Sequence, residues 1–260
     1  MTELIKLVSR KLLSFGKIRI FFCYIRAFYF CKIRNEMKDF NEVTTHTWKN
    51  TLQSNKRVVF DKDINLPAKP KNRSVFDVGT SLAGGSANLL LEPLKKKYKK
   101  SELRNLKVLS VGPRAEGEIF NIFSYGFELK NIVGVDLFSY SPLIELGDMH
   151  NLQFKNGQFD VVLMNKCLAY SNNKQKALSE AKRVLTQSGL LLIGYSVNKN
   201  LTEQDQIKKR GYLVASPHEK INSMEELEDL CSLIGFNTFY SKITKKISGK
   251  GEGLVYGATK

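Results

Sequence analysis

Apolar runs and amphipathic stretches alternate between residues 107 and 260. Lys107–Val111 reads as a short buried strand closed by Gly112. Ile119, Phe120, Ile122 and Phe123 mark one helical face that stops near Gly126. Asn131–Asp136 is a second strand ending in an acid, and Phe159–Met164 is another. Asn173 precedes a helix with apolar positions Ala177, Leu178, Ala181, Val184 and Leu185, and Gly189–Tyr195 is the next strand. Ser223 and Glu226 have the spacing of a capping box, ahead of Leu227, Leu230, Cys231 and Ile234, with Gly235 as the stop. Phe236–Ile243 and Gly253–Thr259 finish as strands whose connection is too short for a crossover helix, so they pair antiparallel. Strands that are apolar throughout belong to a sheet covered on both faces. The expected fold is α/β, with a doubly wound, seven-stranded mixed sheet over residues 105–260 whose last strand runs antiparallel.

The pattern before residue 105 differs. Residues 1–35 carry six aromatic residues (Phe21, Phe22, Tyr24, Phe28, Tyr29 and Phe30) flanked by Lys and Arg. Charges at Lys17, Arg19 and Arg26 interrupt the apolar stretch, which fits neither a signal peptide nor a membrane-spanning helix. A helix lying in a membrane interface fits it, as does one packed on the rest of the chain. Residues 36–104 read as a linker plus a helical extension, with a helix over Ala87–Tyr98 whose basic end is solvated. The glycine-rich stretch at 79–85 lacks the GK[ST] ending of a triphosphate-binding loop and reads as a turn.

Charge sharpens this division. The chain has 260 residues and a formal net charge of +16. Residues 1–35 hold 8 basic residues and 1 acidic residue, whereas residues 108–260 hold 18 and 16. The back half is balanced like an enzyme core, and the front favours an acidic partner: an anionic membrane surface through residues 1–35, or nucleic acid. The four cysteines show no CxxC spacing and pair with no histidine at zinc distance, which predicts reduced thiols, no metal and a cytoplasmic protein, peripheral at a membrane if the front segment docks there.

Ligands of doubly wound sheets bind at the carboxyl ends of the strands. Gly112-Pro-Arg-Ala-Glu-Gly117 follows the first strand, where a ligand can approach backbone N–H groups at a helix start. Asp136 ends the second strand and can accept both hydroxyls of a ribose. Gly147-Asp148-Met149-His150 sits at the mouth of a third strand, and Asn165 follows the fourth. A nicotinamide-binding loop fits less well, because four residues separate Gly112 from Gly117.

This ordered set resembles the class I S-adenosylmethionine-dependent methyltransferases, specifically the methyltransferase type 11 group, whose sheet is Rossmann-like. VLSVGPRAEGE is similar to that family's first motif, NIVGVDLF to its second, GDMHNLQFKNGQFDVVLMN to the stretch that frames the adenine, and KALSEAKRVLTQSGLLLIG to the helix and strand that follow. The resemblance implies S-adenosyl-L-methionine as cofactor, held by Val111, Gly112, Pro113, Arg114, Glu116, Gly117, Asp136, Leu137, Asp148, Met149 and Asn165. Two departures stand out. Ser110 occupies the place of an acid, and the usual GxGxG is Gly-Pro-Arg-Ala-Glu-Gly, so that Arg114 and Glu116 or Glu118 are expected to take over contacts to the cofactor's carboxylate and ammonium.

The implied activity is methyl transfer to a small molecule or surface glycan. A nucleic-acid methyltransferase using the basic front half is the alternative, and a non-catalytic protein that keeps the fold is a third reading. The segment 165–171 should border the acceptor, where many relatives place a His at the position of Tyr170. Tyr170 and His150 are the candidate catalytic residues. Every cofactor motif lies beyond residue 107, so residues 1–35 are expected to be dispensable for cofactor binding.

Overall fold

The computed structural model describes residues 3–34, 38–39, 86–113, 115–139, 141–197, 220–245 and 252–260. Its centre is a seven-stranded sheet of order β5-β3-β2-β6-β7-β9-β8. The strands are β2 (Val108–Val111), β3 (Ile132–Asp136), β5 (Ile144–Leu146), β6 (Phe159–Asn165), β7 (Leu185–Val197), β8 (Asn237–Lys245) and β9 (Glu252–Thr259). β2 pairs in parallel with β3 and β6, while β9 runs antiparallel to both β7 and β8, as the short connection requires.

Strand side chains alternate between two cores. Leu109, Val111, Val162, Met164, Leu191 and Ile193 face one side with helices α5 (Lys174–Val184) and α6 (Met224–Leu233). Val108, Val161, Leu163, Leu190 and Leu192 face the other with α3 (Ser86–Leu91) and α4 (Glu116–Tyr125). The caps are built as the residue types dictate. Asn173 accepts from the Lys176 amide at 2.9 Å. At the start of α6, Ser223 accepts from the Glu226 amide at 3.2 Å, but Glu226 reaches back to the Asn222 amide at 2.8 Å, one residue earlier than a full capping box would.

One expectation needs correction. The helix over 87–98 ends at Leu91 and continues as a 3-10 turn, Glu92–Lys96, because Pro93 cannot extend the α-helical ladder. Leu90, Leu91, Leu94 and Leu103, ahead of residue 105, are buried with the second core. The front segment also packs on that core. Helices α1 (Glu3–Ser14) and α2 (Gly16–Phe28) lie over α4, with Leu13 and Cys23 buried in the same cluster. Arg10 donates to the Phe127 carbonyl at 3.1 Å and to the Glu128 carboxylate at 2.6 Å. Arg19 is buried and donates to the Leu13 carbonyl at 2.7 Å. Among the described residues no helix is long and apolar enough to cross a membrane.

Past α2 the chain continues through a π-turn, Tyr29–Ile33, to strand β1 (Lys38–Asp39). β1 pairs antiparallel with β4 (Phe138–Ser139), two residues beyond Asp136. The front segment therefore runs along α4 and then crosses to the chain that leaves β3. The first of these landmarks follows the glycine loop, and the second follows the acid at the end of β3.

Candidate active site at the carboxyl edge of the sheet

β2 ends at Val111, and the Gly112 amide donates to the Val135 carbonyl at 2.8 Å, so the loop stays on β3 as it leaves the sheet. Gly112 has φ +67, a conformation that favours glycine, and a Cβ there would lie 2.5 Å from Cys167 Cβ. The loops after β2 and β6 are thus packed together over the central strands. Pro113 is buried beside Gly134. Gly117 lies in the first turn of α4, whose leading N–H groups have no intrahelical acceptor. Arg114 falls outside the described residues.

The two glutamates of the loop have different partners. Glu116 is held by the front segment: Arg26 Nε and Nη2 donate to its two carboxylate oxygens at 2.6 and 2.7 Å, and Ser141 Oγ donates to it as well. The Arg26 guanidinium also lies over the rings of Phe22, Phe30 and Phe120. Both oxygens of Glu116 are thus engaged by the bidentate pair with Arg26. Glu118 instead points into the sheet. Ser110 Oγ donates to it at 2.5 Å and Asn165 Nδ2 at 2.8 Å. The carboxylate absent from position 110 is thus delivered from α4 to the same place. Burial pushes the Glu118 carboxyl above its ordinary range, against the lowering effect of the Ser110 and Asn165 hydrogen bonds. Asn165 Oδ1 is buried without a hydrogen-bond partner, and Gly194 makes room for it, since a Cβ there would approach that oxygen to 2.9 Å.

Asp136 and Leu137 are half-buried at the end of β3, and the Gly147 amide donates to the Asp136 carbonyl at 3.0 Å, which brings the loop after β5 alongside. Asp148 is half-buried and Met149 is buried in that loop. Burial alone would raise the Asp148 carboxyl, but hydrogen bonds from the His150 ring and amide outweigh it and hold the group below its usual value. His150 Nδ1 lies 2.6 Å from Asp148 Oδ1, and Nε2 lies 2.8 Å from Ser171 Oγ. With both ring nitrogens engaged and the ring buried, His150 braces Asp148 against the loop after β6. Tyr170 is half-buried in the 3-10 turn Leu168–Tyr170 of that same loop. Lys166 has φ +65, unusual for a residue with a side chain, and its amide donates to the Gly194 carbonyl at 2.6 Å.

Cys23, Cys167 and Cys231 are free and buried. Burial pushes the Cys23 and Cys231 thiols up to about 12, and raises Cys167 too, so none is a thiolate nucleophile at neutral pH. Among the described residues no group of three or more His, Cys, Asp or Glu side chains could hold a metal ion.

Residues 109–193 match the family described as Methyltransferase domain. An uncharacterised protein of Methanocaldococcus jannaschii is 32% identical over 115 residues, a match that spans 40% of this chain and 56% of that relative. This chain thus covers little more than half the length of that curated relative. Two solved structures share the fold. One is a Thermotoga maritima SAM-dependent methyltransferase described as a possible histamine N-methyltransferase, with 19% identity, TM-score 0.51, and coverage of 71% of this chain and 94% of that one. The other is the Burkholderia thailandensis 1,6-didemethyltoxoflavin-N1-methyltransferase, solved with 1,6-didemethyltoxoflavin and S-adenosylhomocysteine, with 15% identity, TM-score 0.54, and coverage of 86% and 94%.

Proposed function

We propose, from the premise that residues 109–193 are a class I S-adenosylmethionine-dependent methyltransferase domain, that this chain transfers a methyl group to a small-molecule or glycan acceptor. The observation that carries the reading is the row of acceptors along the carboxyl edge of the sheet. Asp136 follows β3, Asp148 follows β5, and the buried Glu118 joins β2 to β6 through Ser110 and Asn165. Their chemistry matches the three parts of the cofactor: a ribose diol for Asp136, an adenine amino group for Asp148, and an ammonium for Glu118 with the unpartnered Asn165 Oδ1.

When bound, the cofactor supplies a methyl group on sulfonium sulfur, already electrophilic. The protein's part is then alignment and exclusion of water. Gly112 packs on Cys167 and Pro113 on Gly134 where β2 leaves the sheet, and His150 fixes Asp148 by holding it to Ser171. Tyr170 and Lys166 lie on the loop after β6, the segment proposed to border the acceptor. Tyr170 serves in this scheme as a hydrogen-bonding partner of the acceptor.

A nucleic-acid acceptor is less well supported, because Arg10, Arg19 and Arg26 turn into the protein and are committed to Glu128, Leu13 and Glu116. The front segment's outer surface suits an anionic membrane instead.

Glu118→Gln tests the ammonium assignment. It should weaken S-adenosylhomocysteine by about 1.5–3 kcal/mol, the worth of a hydrogen bond to a charged group. 5′-Methylthioadenosine, which has no ammonium, should bind the variant as it binds the parent. Equal losses for both ligands in calorimetry would assign Glu118 to the packing of β2 on β6 alone.

A further inference from the structure

Helices α1 and α2 are patterned inside out. A helix at the surface of a soluble protein buries its apolar stripe and exposes its charges. Here Arg10, Arg19 and Arg26 point inward to partners, while Leu4, Val8 and Leu12 on α1, and Phe21, Ile25 and Phe28 on α2, are exposed. Of the 15 exposed large hydrophobic residues among the described residues, 13 lie between Leu4 and Ile33. Lys11 and Lys17 stand exposed among them, and the only acidic residue of segment 1–35 is Glu3. An apolar face that carries cations and almost no acid complements an anionic lipid surface, with rings and aliphatic chains at headgroup depth and lysines on phosphates.

The same face lies close to the loop after β2. Ile25 and Phe28 lie within one turn of Arg26, which grips the first residue of α4 directly after the glycine loop. Farther on, β1 pairs with β4 beside the acid that ends β3. One helix, about 10 Å across with its side chains, separates the exposed face from the loop that flanks the cofactor. An acceptor anchored in the bilayer would thus meet the opening without leaving the membrane surface.

We propose that the outer face of α1 and α2 docks on an anionic bilayer and that the methyl acceptor is lipid-linked, presented to the cleft from that surface. This inference rests on the methyltransferase reading and names its acceptor class. Two experiments on the full chain test it. In co-sedimentation, the protein should pellet with vesicles of phosphatidylglycerol and phosphatidylcholine and stay in solution with phosphatidylcholine alone. The triple variant Phe21→Ser, Ile25→Ser, Phe28→Ser should lose most of that binding, and Lys11→Glu with Lys17→Glu should lose it too, while both keep the parental affinity for S-adenosylhomocysteine. In the second experiment, methyl-tritiated S-adenosylmethionine is supplied with vesicles of total lipid extract from the source cells. Label should enter the organic phase, and the triple variant should reduce it at least tenfold. Failure to pellet with anionic vesicles, unchanged pelleting of both variants, or a self-association that the triple variant abolishes in place of vesicle binding would overturn the docking. Label confined to water-soluble acceptors would overturn the acceptor class. Absence of S-adenosylhomocysteine binding in the parent would instead remove the methyltransferase reading, whatever the vesicles show.

Discussion

Arg26→Ala should lower the unfolding free energy by about 3 kcal/mol, the lower end of the range for removing one partner of a buried ion pair. The Glu116 side chain has 0% exposure, and Arg26 has 27%, so the cost falls on the carboxylate, which loses two donated hydrogen bonds and gains no water in return. The guanidinium is also stacked among Phe22, Phe30 and Phe120, and truncation empties that site. Arg26→Lys should recover less than half the loss, because an ammonium cannot match both carboxylate oxygens in a plane or stack on the rings. Urea denaturation of the full chain measures both. The same reasoning predicts that deleting residues 1–34 destabilises the domain, since Leu13 and Cys23 leave the second core with Arg26. A loss below about 0.5 kcal/mol in Arg26→Ala, the size of a surface effect, would mean that the front segment does not hold α4 in solution.

Gly112→Ala should have a comparably large effect, about 2–5 kcal/mol, from a positive φ that costs an L-residue roughly 1–2 kcal/mol and from overpacking that costs roughly 1–3 more. The added Cβ would lie 2.5 Å from Cys167 Cβ, a carbon fixed to the loop after β6 rather than the end of a flexible side chain. Either the loop after β2 or the loop after β6 must move, and both border the cleft. Cofactor affinity should therefore fall along with stability. Cys167→Gly in the Gly112→Ala background removes the clashing carbon and should restore part of both losses. No rescue would mean that the backbone conformation, and not the contact, sets the cost.

The sheet was legible because its central strands are apolar on both faces and its helices carry capped, periodic stripes. β2, β3 and β6 stand where Lys107–Val111, Asn131–Asp136 and Phe159–Met164 mark them. β7 runs from Leu185 rather than Gly189: the buried Leu185 pairs with Phe159, and Thr186, Gln187 and Ser188 carry the strand on to Gly189 despite their polar side chains. Motif spacing also brought Gly112, Asp136, Asp148 and Asn165 to one edge. What spacing does not reveal is which glutamate of Glu116-Gly-Glu118 turns inward. Two positions apart on a helix, they lie on different faces, and only the packing of α2 decides that Glu116 meets Arg26 while Glu118 meets Ser110. The serine at position 110 was the available signal: a missing carboxylate beside a helix with two acids. The contact of His150 with Ser171, 21 positions away, is one that local sequence does not encode. The inward arginines of α1 and α2 likewise follow from Glu116 and Glu128, about 90 and 118 positions downstream.

The central claim, that this edge of the sheet holds S-adenosylmethionine, is tested most directly by calorimetric titration of the full chain with S-adenosylhomocysteine, beside Asp136→Ala. The account expects saturable binding to the parent and a loss of about 1.5–3 kcal/mol in the variant, the worth of charge-assisted hydrogen bonds to the ribose. No binding to the parent at millimolar ligand, or equal binding to parent and variant, would contradict it.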